Sequence, residues 1–439
     1  MKRSRFFSII LSVILAFSAL TAFTGCNNGA SADELYVALD KEDEGRYDEL
    51  FDFYYEQTGI KINATYGQDV SKLIGTKQEP DIIKTSTVLS LTMKDSLMDL
   101  ASMIEKDAEI DASDYIDSIM DALTVDGKIV ALPTSINTSL LYYNKKLFDD
   151  NAPAIRQALG LSDDESVYPR ADWTYEDYRK AGVALTVKEG DTYTQFGAET
   201  QTAWWGEWLV YVNQMGGSFY VAGSGNKVCN LNSPEAVAAT QFYVDKSMGD
   251  ETKKFAPNAS EALGGCNFVS GNVGMIFGGH MGDWFSYDKL GLDWDMQVLP
   301  TPVGDPDARG GEISADAFGI SVRSKKTQEA FKFLKLWTGE KGAMQMYKYG
   351  KIGALKNMRS LIDALPEAER GTKNISAVFD AVEKAVVLPR EEYFSKIARE
   401  TVMAGLYRLL LPGSRGETDV TKVLNKIKND VDVFYKNLG

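Results

Sequence analysis

Residues 127–148 read GKIVALPTSINTSLLYYNKKLF, and this stretch decides the fold. It begins like a buried β-strand, breaks at Pro133 and becomes apolar again from Leu140. Between these points lie five small polar residues, Thr134, Ser135, Asn137, Thr138 and Ser139. Two arrangements explain such an interruption: a turn, or a segment that leaves one hydrophobic core, crosses a wet gap and enters another.

The sequence before this stretch alternates between strand and helix patterns. Alternating apolar residues predict strands over 34–39 and 60–67, and a short apolar run predicts a buried strand over 80–83. Between the first two strands, apolar and aromatic residues at helical spacing predict a helix over 44–59. This order of elements is typical of a doubly wound α/β lobe.

Four candidate ligand contacts follow from this strand prediction alone. Ligands of open α/β sheets bind beyond the carboxyl ends of the strands. Asp40 and Glu42 come after the first predicted strand, and Lys84 and Ser86 come after the strand over 80–83. We therefore expect these four side chains to face a ligand.

The sequence after the opening stretch is mainly helical. The apolar spacing predicts helices over 171–186, 233–248 and 418–438. Thr174 is the expected N-cap of the first, with Asp177 three residues later as in a capping box, and Ser233 is the expected N-cap of the second.

The order and spacing of several motifs resemble the extracellular solute-binding proteins of family 1, which serve ABC importers of sugars. The motifs are FDFYYEQTGIKI, PDII, GKIVALPTSINTSLLYYNKKLF, DWTYEDYRKAG, GGSFY, LNSPEAVAATQFYVD, FVSGNVGMIFGG, EAFKFLKLWTGEKG and YGKIGALKN. Together they run over nearly all of the chain. The resemblance implies an α/β fold of two lobes, the type II periplasmic-binding-protein-like fold, with a ligand cleft between the lobes and a hinge of crossing segments.

The resemblance also implies a division of the chain. Residues 134–139 would cross the hinge with their polar groups facing water or ligand, 310–321 would return, and 349–357 would cross a third time. The expected parts are a lipoprotein signal peptide at 1–25, a flexible tether at 26–33, an N-terminal lobe at 34–136 and 314–350, and a C-terminal lobe at 137–313 and 351–439.

Aromatic residues are the first requirement of a carbohydrate site, because rings stack on the C–H faces of a sugar while acids, amides and cations bind its hydroxyls. Trp204 and Trp205 resemble the family segment that projects toward the ligand, with core packing as the structural alternative. Tyr393 resembles a late aromatic of the family that closes on the sugar, with helix packing as its alternative. We expect Trp173, Trp294 and Trp337 to lie in the core.

Further candidates follow from the family pattern. The family commonly places a tryptophan just after the glycines where His280 stands here, and Trp284 comes slightly later. Trp284 is therefore a candidate stacking ring or an aromatic that covers the end of the sheet. His280 is a candidate hydrogen-bonding group or a loop histidine satisfied locally. Asn137 and Asp316, in the crossing segments, are candidate ligand contacts or hinge hydrogen-bonding groups.

The N-terminus reads as an export signal. Lys2, Arg3 and Arg5 precede an apolar stretch that is too short for a stable membrane span. The sequence FTGC at 23–26 resembles the bacterial lipobox, which implies that Cys26 is acylated and anchors the mature protein to the outer face of the membrane. A single N-terminal anchor helix is the alternative.

Composition narrows the chemistry. A formal net charge of −15 argues against binding to nucleic acid and against docking on anionic lipid. With His280 as the only histidine, the sequence offers no multi-histidine metal site and no motif of a nucleotide-binding loop. We expect no metal and no cofactor. Cys229 and Cys266 could pair in an oxidising compartment or pack as small hydrophobes.

The sequence therefore predicts a lipid-anchored monomer that captures a carbohydrate, an oligosaccharide, between closing lobes and delivers it to an ABC permease without catalysis. Three alternatives stay open. The ligand could be another solute, such as a polyamine. The protein could be a secreted glycosidase, which would need two carboxylates at a fixed separation. It could also be a sensor partner that signals through a kinase.

Overall fold

Two β-sheets organise the computed structural model, which describes residues 34–279, 281, 284–305, 308 and 310–438. The larger sheet has the strand order β13-β12-β3-β1-β2, with β6 also paired to β12. Its strands are β1 (Glu34–Leu39), β2 (Lys61–Tyr66), β3 (Ile82–Ser86), β6 (Leu132–Thr138), β12 (Glu312–Ile320) and β13 (Val386–Val387). The smaller sheet has the order β10-β7-β11, formed by β7 (Leu140–Asn144), β10 (Met275–Gly279) and β11 (Trp294–Gln297). Two hairpins complete the strands: β4 (Thr124–Val125) with β5 (Lys128–Ile129), and β8 (Val187–Glu189) with β9 (Thr192–Gln195).

Helices flank both sheets. The α-helices of the described residues are Asp48–Thr58, Val70–Leu73, Ser90–Met93, Ala101–Glu105, Asp117–Leu123, Lys145–Asp150, Ala152–Leu159, Tyr175–Leu185, Gly206–Gln214, Pro234–Met248, Ala259–Leu263, Trp284–Lys289, Thr327–Thr338, Glu340–Tyr347, Met358–Asp363, Glu367–Arg370, Ser376–Val382, Phe394–Ile397, Met403–Leu409 and Val420–Leu438. One turn of π-helix, Ala398–Val402, joins Phe394–Ile397 to Met403–Leu409.

The early part of the larger sheet follows the predicted strand–helix order. β1 pairs in parallel with β2 over its full length and with β3 at Val37. The predicted strand over 34–39 is confirmed with the same ends. The strand predicted over 80–83 is longer than expected and reaches Ser86, so Lys84 and Ser86 lie within β3 and not in the loop after it. β3 extends because β12 pairs with it from Ile82 to Ser86.

Local capping explains where the later helices begin. Thr174 and Asp177 form a complete capping box at the start of Tyr175–Leu185, and Ser233 accepts a hydrogen bond from the Ala236 amide at the start of Pro234–Met248. Both N-cap predictions are confirmed. The last helix, Val420–Leu438, buries one apolar stripe, as its spacing predicts.

The opening stretch of sequence is a crossing between the two sheets. β6 ends at Thr138 in the larger sheet and β7 begins at Leu140 in the smaller one, so Ser139 alone separates them. The turn alternative is therefore excluded. β12 pairs antiparallel with β6, and the chain near Ile352 bridges to Ile136, so the two other expected crossing segments lie beside the first.

The expectation that the polar groups of 134–139 face water is wrong, while their contact with a ligand stays a prediction. All of these residues are buried. The Thr134 hydroxyl donates to the Asp316 carbonyl at 3.2 Å, and the Thr138 hydroxyl donates to the Glu312 carbonyl at 2.9 Å. The hydroxyl groups of Thr134 and Thr138 thus hydrogen-bond strand β6 to strand β12.

The described residues pack in two main cores. One holds the larger sheet and also reaches Tyr142, Trp284 and Trp294 beside the smaller sheet. The second lies on the other face of the smaller sheet and contains the helices Tyr175–Leu185 and Gly206–Gln214. The protein is thus a two-lobed α/β structure, while the residue boundaries expected for the lobes stay a prediction. Trp173, Trp294 and Trp337 are buried, as predicted.

Two remaining features concern the cysteines and the membrane. Cys229 and Cys266 are both free thiols, so the pairing alternative does not hold in this structure. Within residues 34–438, as far as they are described, no helix combines the length and apolar character needed to cross a membrane.

Candidate functional site

The first part of the candidate site is a group of charged side chains on neighbouring strands of the larger sheet. Asp40 follows β1, Lys84 lies in β3 and Asp316 lies in β12. The Lys84 ammonium group donates a hydrogen bond to the Asp40 carboxylate, and its Nζ lies 3.9 Å from Oδ1 of Asp316. The strand order β12-β3-β1 explains the contact, because it places the lysine between the two acids.

Electrostatics favour the charged form of this lysine. Burial lowers the pKa of Lys84, but the carboxylates of Asp316 and Asp40 more than offset that effect, and the pKa is raised above its usual value. The side chains of Lys84 and Asp316 remain 20% and 28% exposed, so both have surface left for a ligand.

A second ion pair, which sequence reasoning missed, extends this group. Lys351 Nζ donates to Oδ1 of the buried Asp43 at 2.9 Å, and Arg46 lies 3.7 Å from the same carboxylate oxygen. We call the six residues the strand-end cluster: Asp40, Asp43, Arg46, Lys84, Asp316 and Lys351. Lys351 stands in the motif of the third crossing segment, so the cluster joins the first strand loop to the hinge.

The polar residues of the hinge lie next to the cluster. Ser135 pairs with Asp316 across the β6–β12 ladder, and its hydroxyl is 3.5 Å from Oδ2 of Asp316. Asn137 pairs with Ser314 in the same ladder and is 8% exposed. Its burial in the β6–β12 ladder fits the hinge alternative, and its role as a ligand contact stays a prediction.

The second part of the candidate site is the aromatic loop, residues 201–205, which precedes the helix Gly206–Gln214. The rings of Trp204 and Trp205 are partly exposed, with their centroids 5.7 Å apart and their planes at 42°. Gly206 makes this arrangement possible, because a Cβ there would lie 2.0 Å from the Trp204 ring. The glycine directly after Trp205 indicates this close ring packing in the sequence, but the sequence analysis did not use it.

The late aromatic segment packs beside this loop. Trp205 contacts Phe394 edge to face, with ring centroids 5.1 Å apart. The neighbouring Tyr393 packs on Phe434 of the last helix at 5.3 Å and is partly exposed. The structure therefore brings Tyr393 close to the aromatic loop. Its contact with Phe434 also agrees with the predicted alternative, packing on a helix.

Trp284 lies elsewhere. Its ring is 4% exposed, its Nε1 donates to the Tyr142 hydroxyl at 2.7 Å, and Trp294 packs against it at 6.0 Å. Little ring surface is left for stacking on a ligand. The position matches the structural alternative, an aromatic that covers the smaller sheet, so we leave Trp284 out of the proposed site.

A cavity of about 940 Å³ lies beside Trp284. One wall is the helix Glu340–Tyr347, and the opposite wall includes Trp284 and Trp294. Gly350 lines the cavity immediately before Lys351 of the cluster. The six cluster residues do not line this cavity, so Gly350 is the point where cavity and cluster meet along the chain.

The remaining candidates are placed as follows. Glu42 is exposed in the short 3₁₀ turn after β1, near Asp40. The Ser86 hydroxyl accepts a hydrogen bond from the Leu89 amide at 3.1 Å and lies opposite Asp316 in the ladder. His280 and Cys26 lie outside the described residues. No group of three potential metal ligands from His, Cys, Asp or Glu occurs in the part of the chain that the structure describes.

Comparison with known proteins identifies the family of this protein. Residues 33–344 match the family model described as bacterial extracellular solute-binding protein. The match covers well over half of the chain, and the protein belongs to this family.

Individual relatives are more distant. The maltodextrin-binding protein MdxE of Bacillus subtilis is 24% identical over 336 residues, which cover 73% of this chain and 71% of that protein. The ABC substrate-binding protein Lmo0181 of Listeria monocytogenes, solved with cycloalternan, superposes with a TM-score of 0.74 at 22% identity, over 92% of this chain and 99% of that one. UgpB of Mycobacterium tuberculosis, solved with glycerophosphocholine, superposes with a TM-score of 0.70 at 16% identity, over 93% of this chain and 100% of that one. At these identities the likeness establishes the shared two-lobed fold.

Proposed function

We propose that this protein captures a neutral carbohydrate, an oligosaccharide, between its two lobes and delivers it to the permease of an ABC transporter. The family supplies solute binding, one relative is named a maltodextrin-binding protein, and one structural neighbour was solved with cycloalternan. The choice of a neutral ligand rests on the balance of charge in the strand-end cluster.

Each cation of the cluster already faces a carboxylate. Lys84 lies between Asp40 and Asp316, while Lys351 and Arg46 meet Asp43. A phosphate ligand needs cations that are not neutralised by acids, and a polyamine needs acids that are not neutralised by cations. Sugar hydroxyls both donate and accept hydrogen bonds, so paired charges suit them.

The aromatic loop supplies the complementary contact. Trp204 and Trp205 present partly exposed rings from the second lobe, and stacked rings suit the C–H faces of a sugar. A ligand that touches both the strand-end cluster and the aromatic loop would stabilise the closed arrangement of the lobes, because only that arrangement supplies both sets of contacts.

Calorimetric titration tests this proposal. The full chain, exported by a bacterial host and extracted in detergent, is titrated with neutral mono- and oligosaccharides, with glycerophosphocholine and with spermidine. We expect saturable binding of at least one oligosaccharide and none of the two charged ligands. Binding of a charged ligand alone would overturn the proposal, and hydrolysis of chromogenic glycosides would replace it with a glycosidase.

We further propose that Cys26 carries the lipid anchor. Its support is the lipobox-like sequence FTGC at 23–26. A Cys26→Ser variant should move from the membrane fraction to the soluble extracytoplasmic fraction, while a matched Cys266→Ser variant should stay in the membrane fraction. Retention of the Cys26→Ser variant in the membrane would support the anchor-helix alternative.

A further inference from the structure

An ion pair without solvent contact lies directly behind the aromatic loop. The side chains of Glu207 and Lys246 are both 0% exposed, and the lysine ammonium donates a hydrogen bond to Oε1 of the glutamate. Burial lowers the pKa of Lys246, while the neighbouring Glu207 carboxylate acts in the opposite direction. Because desolvation offsets the attraction of a buried pair, such a pair seldom adds stability over apolar residues of the same size. Its presence calls for another explanation.

The pair holds the chain on which the tryptophans stand. Oε2 of Glu207 accepts a hydrogen bond from the amide of Gln201 at 2.9 Å, and the Lys246 ammonium donates to the carbonyl of Glu199 at 2.6 Å. Both backbone groups belong to the three residues that precede the exposed part of the loop. Each charge therefore binds both its ion-pair partner and the backbone at 199–201, and Glu207 also accepts a hydrogen bond from the Tyr211 hydroxyl at 3.1 Å.

Neutral contacts around the pair fix the same segment. The Tyr243 hydroxyl donates to the Gln201 carbonyl at 2.9 Å, and the Gln201 amide side chain donates to the Phe277 carbonyl at 3.0 Å. Thr200 and Ser247 share a hydrogen bond of 2.6 Å. The backbone at 199–201 is thus tied to the helix Pro234–Met248 and to strand β10, whereas Trp204 and Trp205 themselves stay partly exposed.

We propose that Glu207 and Lys246 position the Trp204–Trp205 pair, so that this buried ion pair determines ligand affinity more than it determines fold stability. The proposal rests on the proposed function, in which the two rings contact the ligand. Glu207 stands at the second position of the helix that begins after Trp205, so its side chain fixes the loop and the helix start together.

A double substitution separates positioning from folding. In Glu207→Leu with Lys246→Met, both charges leave together and side-chain volume is nearly kept, so no buried charge is left alone. The loop loses its charged acceptor at Gln201 and its charged donor at Glu199. We expect an unfolding transition close to that of the natural chain, because the relieved desolvation of two charges offsets the hydrogen bonds lost by Gln201, Glu199 and Tyr211. Oligosaccharide affinity should be about tenfold weaker, the loss expected for a displaced aromatic contact.

A spectroscopic measurement reports the ring arrangement without any ligand. Two indoles 5.7 Å apart at 42° couple and give an exciton signal in circular dichroism, and so do Trp284 and Trp294 at 6.0 Å, so the signal of the loop pair is taken as the part that a Trp204→Phe variant loses. This signal should be strongly reduced in the double variant. An unchanged exciton signal would overturn the positioning proposal, and so would an unchanged oligosaccharide affinity.

Two further variants complete the design. Thr240→Val removes the acceptor of the Trp208 indole N–H in the same core, at 2.8 Å, without touching 199–201, and should lower stability while leaving the exciton signal intact. Glu207→Gln with Lys246→Met keeps an acceptor for the Gln201 amide and should restore part of the signal. If the natural chain binds no oligosaccharide, the proposed function fails, but the exciton comparison still decides whether the pair positions the rings.

Discussion

The two halves of the candidate site are built in different ways. The strand-end cluster uses partly exposed charges on neighbouring strands, and Lys84, between Asp40 and Asp316, reaches both neighbours across the sheet. The aromatic loop instead exposes two neutral rings and hides its charges behind them, in the Glu207–Lys246 pair. In the proposed function, charge therefore serves recognition in the strand-end cluster and positioning behind the aromatic loop.

The largest expected effect comes from removing the aromatic half. Trp204→Ala with Trp205→Ala should weaken oligosaccharide binding about thirtyfold or more, because tryptophan contacts at the centre of a binding site commonly contribute about 2 kcal/mol or more. Calorimetric titration measures the loss. Trp173→Phe, a change of similar chemistry in the core, should leave affinity unchanged, and equal losses in the two variants would show a general folding defect.

The next effect concerns Glu312, the first residue of the crossing strand β12. Burial raises the pKa of Glu312 to about 7, while a hydrogen bond from Ser314 acts to lower it. A carboxyl group with a raised folded-state pKa favours the folded state least at high pH, so stability should fall as pH rises from about 4.5 to 7. Glu312→Gln should remove this slope and stabilise the protein by about 3 kcal/mol at pH 8.

Urea unfolding at several pH values checks this prediction. The natural chain and the Glu312→Gln variant should have similar free energies of unfolding at pH 4 and diverge above it. Parallel pH profiles of the two proteins would show that Glu312 does not titrate in this range.

A smaller effect is expected from the charged half. Lys84→Met leaves Asp40 and Asp316 without their shared cation and removes a partly exposed hydrogen-bond donor. Affinity for oligosaccharide should fall about tenfold, the usual effect of losing one charge-assisted hydrogen bond. Lys94→Met, which breaks the exposed pair with Asp126, is the matched control and should bind as the natural chain does.

The smallest effect comes from shifting one ring. Gly206→Ala places a Cβ against the Trp204 indole, so that ring must move while Trp205 keeps its contact with Phe394. We expect affinity to fall about fivefold, roughly 1 kcal/mol, and the Trp–Trp exciton signal to weaken. Gly405→Ala, which meets Ile427 in the same core at 2.7 Å, is a steric control that should change stability only.

The sequence was sufficient for features that depend on local patterns. Alternation predicted β1, helical spacing predicted the last helix, and the Thr174 and Ser233 caps were legible because capping needs residues only three positions apart. The polar interruption left a turn and a crossing open, and the family resemblance predicted the crossing from β6 to β7 that the structure shows.

The features that sequence reasoning missed depend on distant partners. Lys351 and Asp43 are 308 residues apart, and the Glu207–Lys246 pair spans 39, with no local pattern to mark either contact. The sequence analysis did not predict that Thr134 and Thr138 are buried, for the same reason: their hydrogen-bond acceptors lie on β12. Propensity and spacing cannot reveal a partner that only the folded sheet supplies.

The account's central claim is that one ligand contacts both halves and draws the lobes together. Small-angle X-ray scattering of the detergent-free Cys26→Ser protein, with and without a saturating oligosaccharide, tests it most directly. The radius of gyration should fall on binding in this protein, and it should stay constant when Trp204 and Trp205 are both replaced by alanine. Tight binding with an unchanged radius of gyration in the Cys26→Ser protein would contradict the claim.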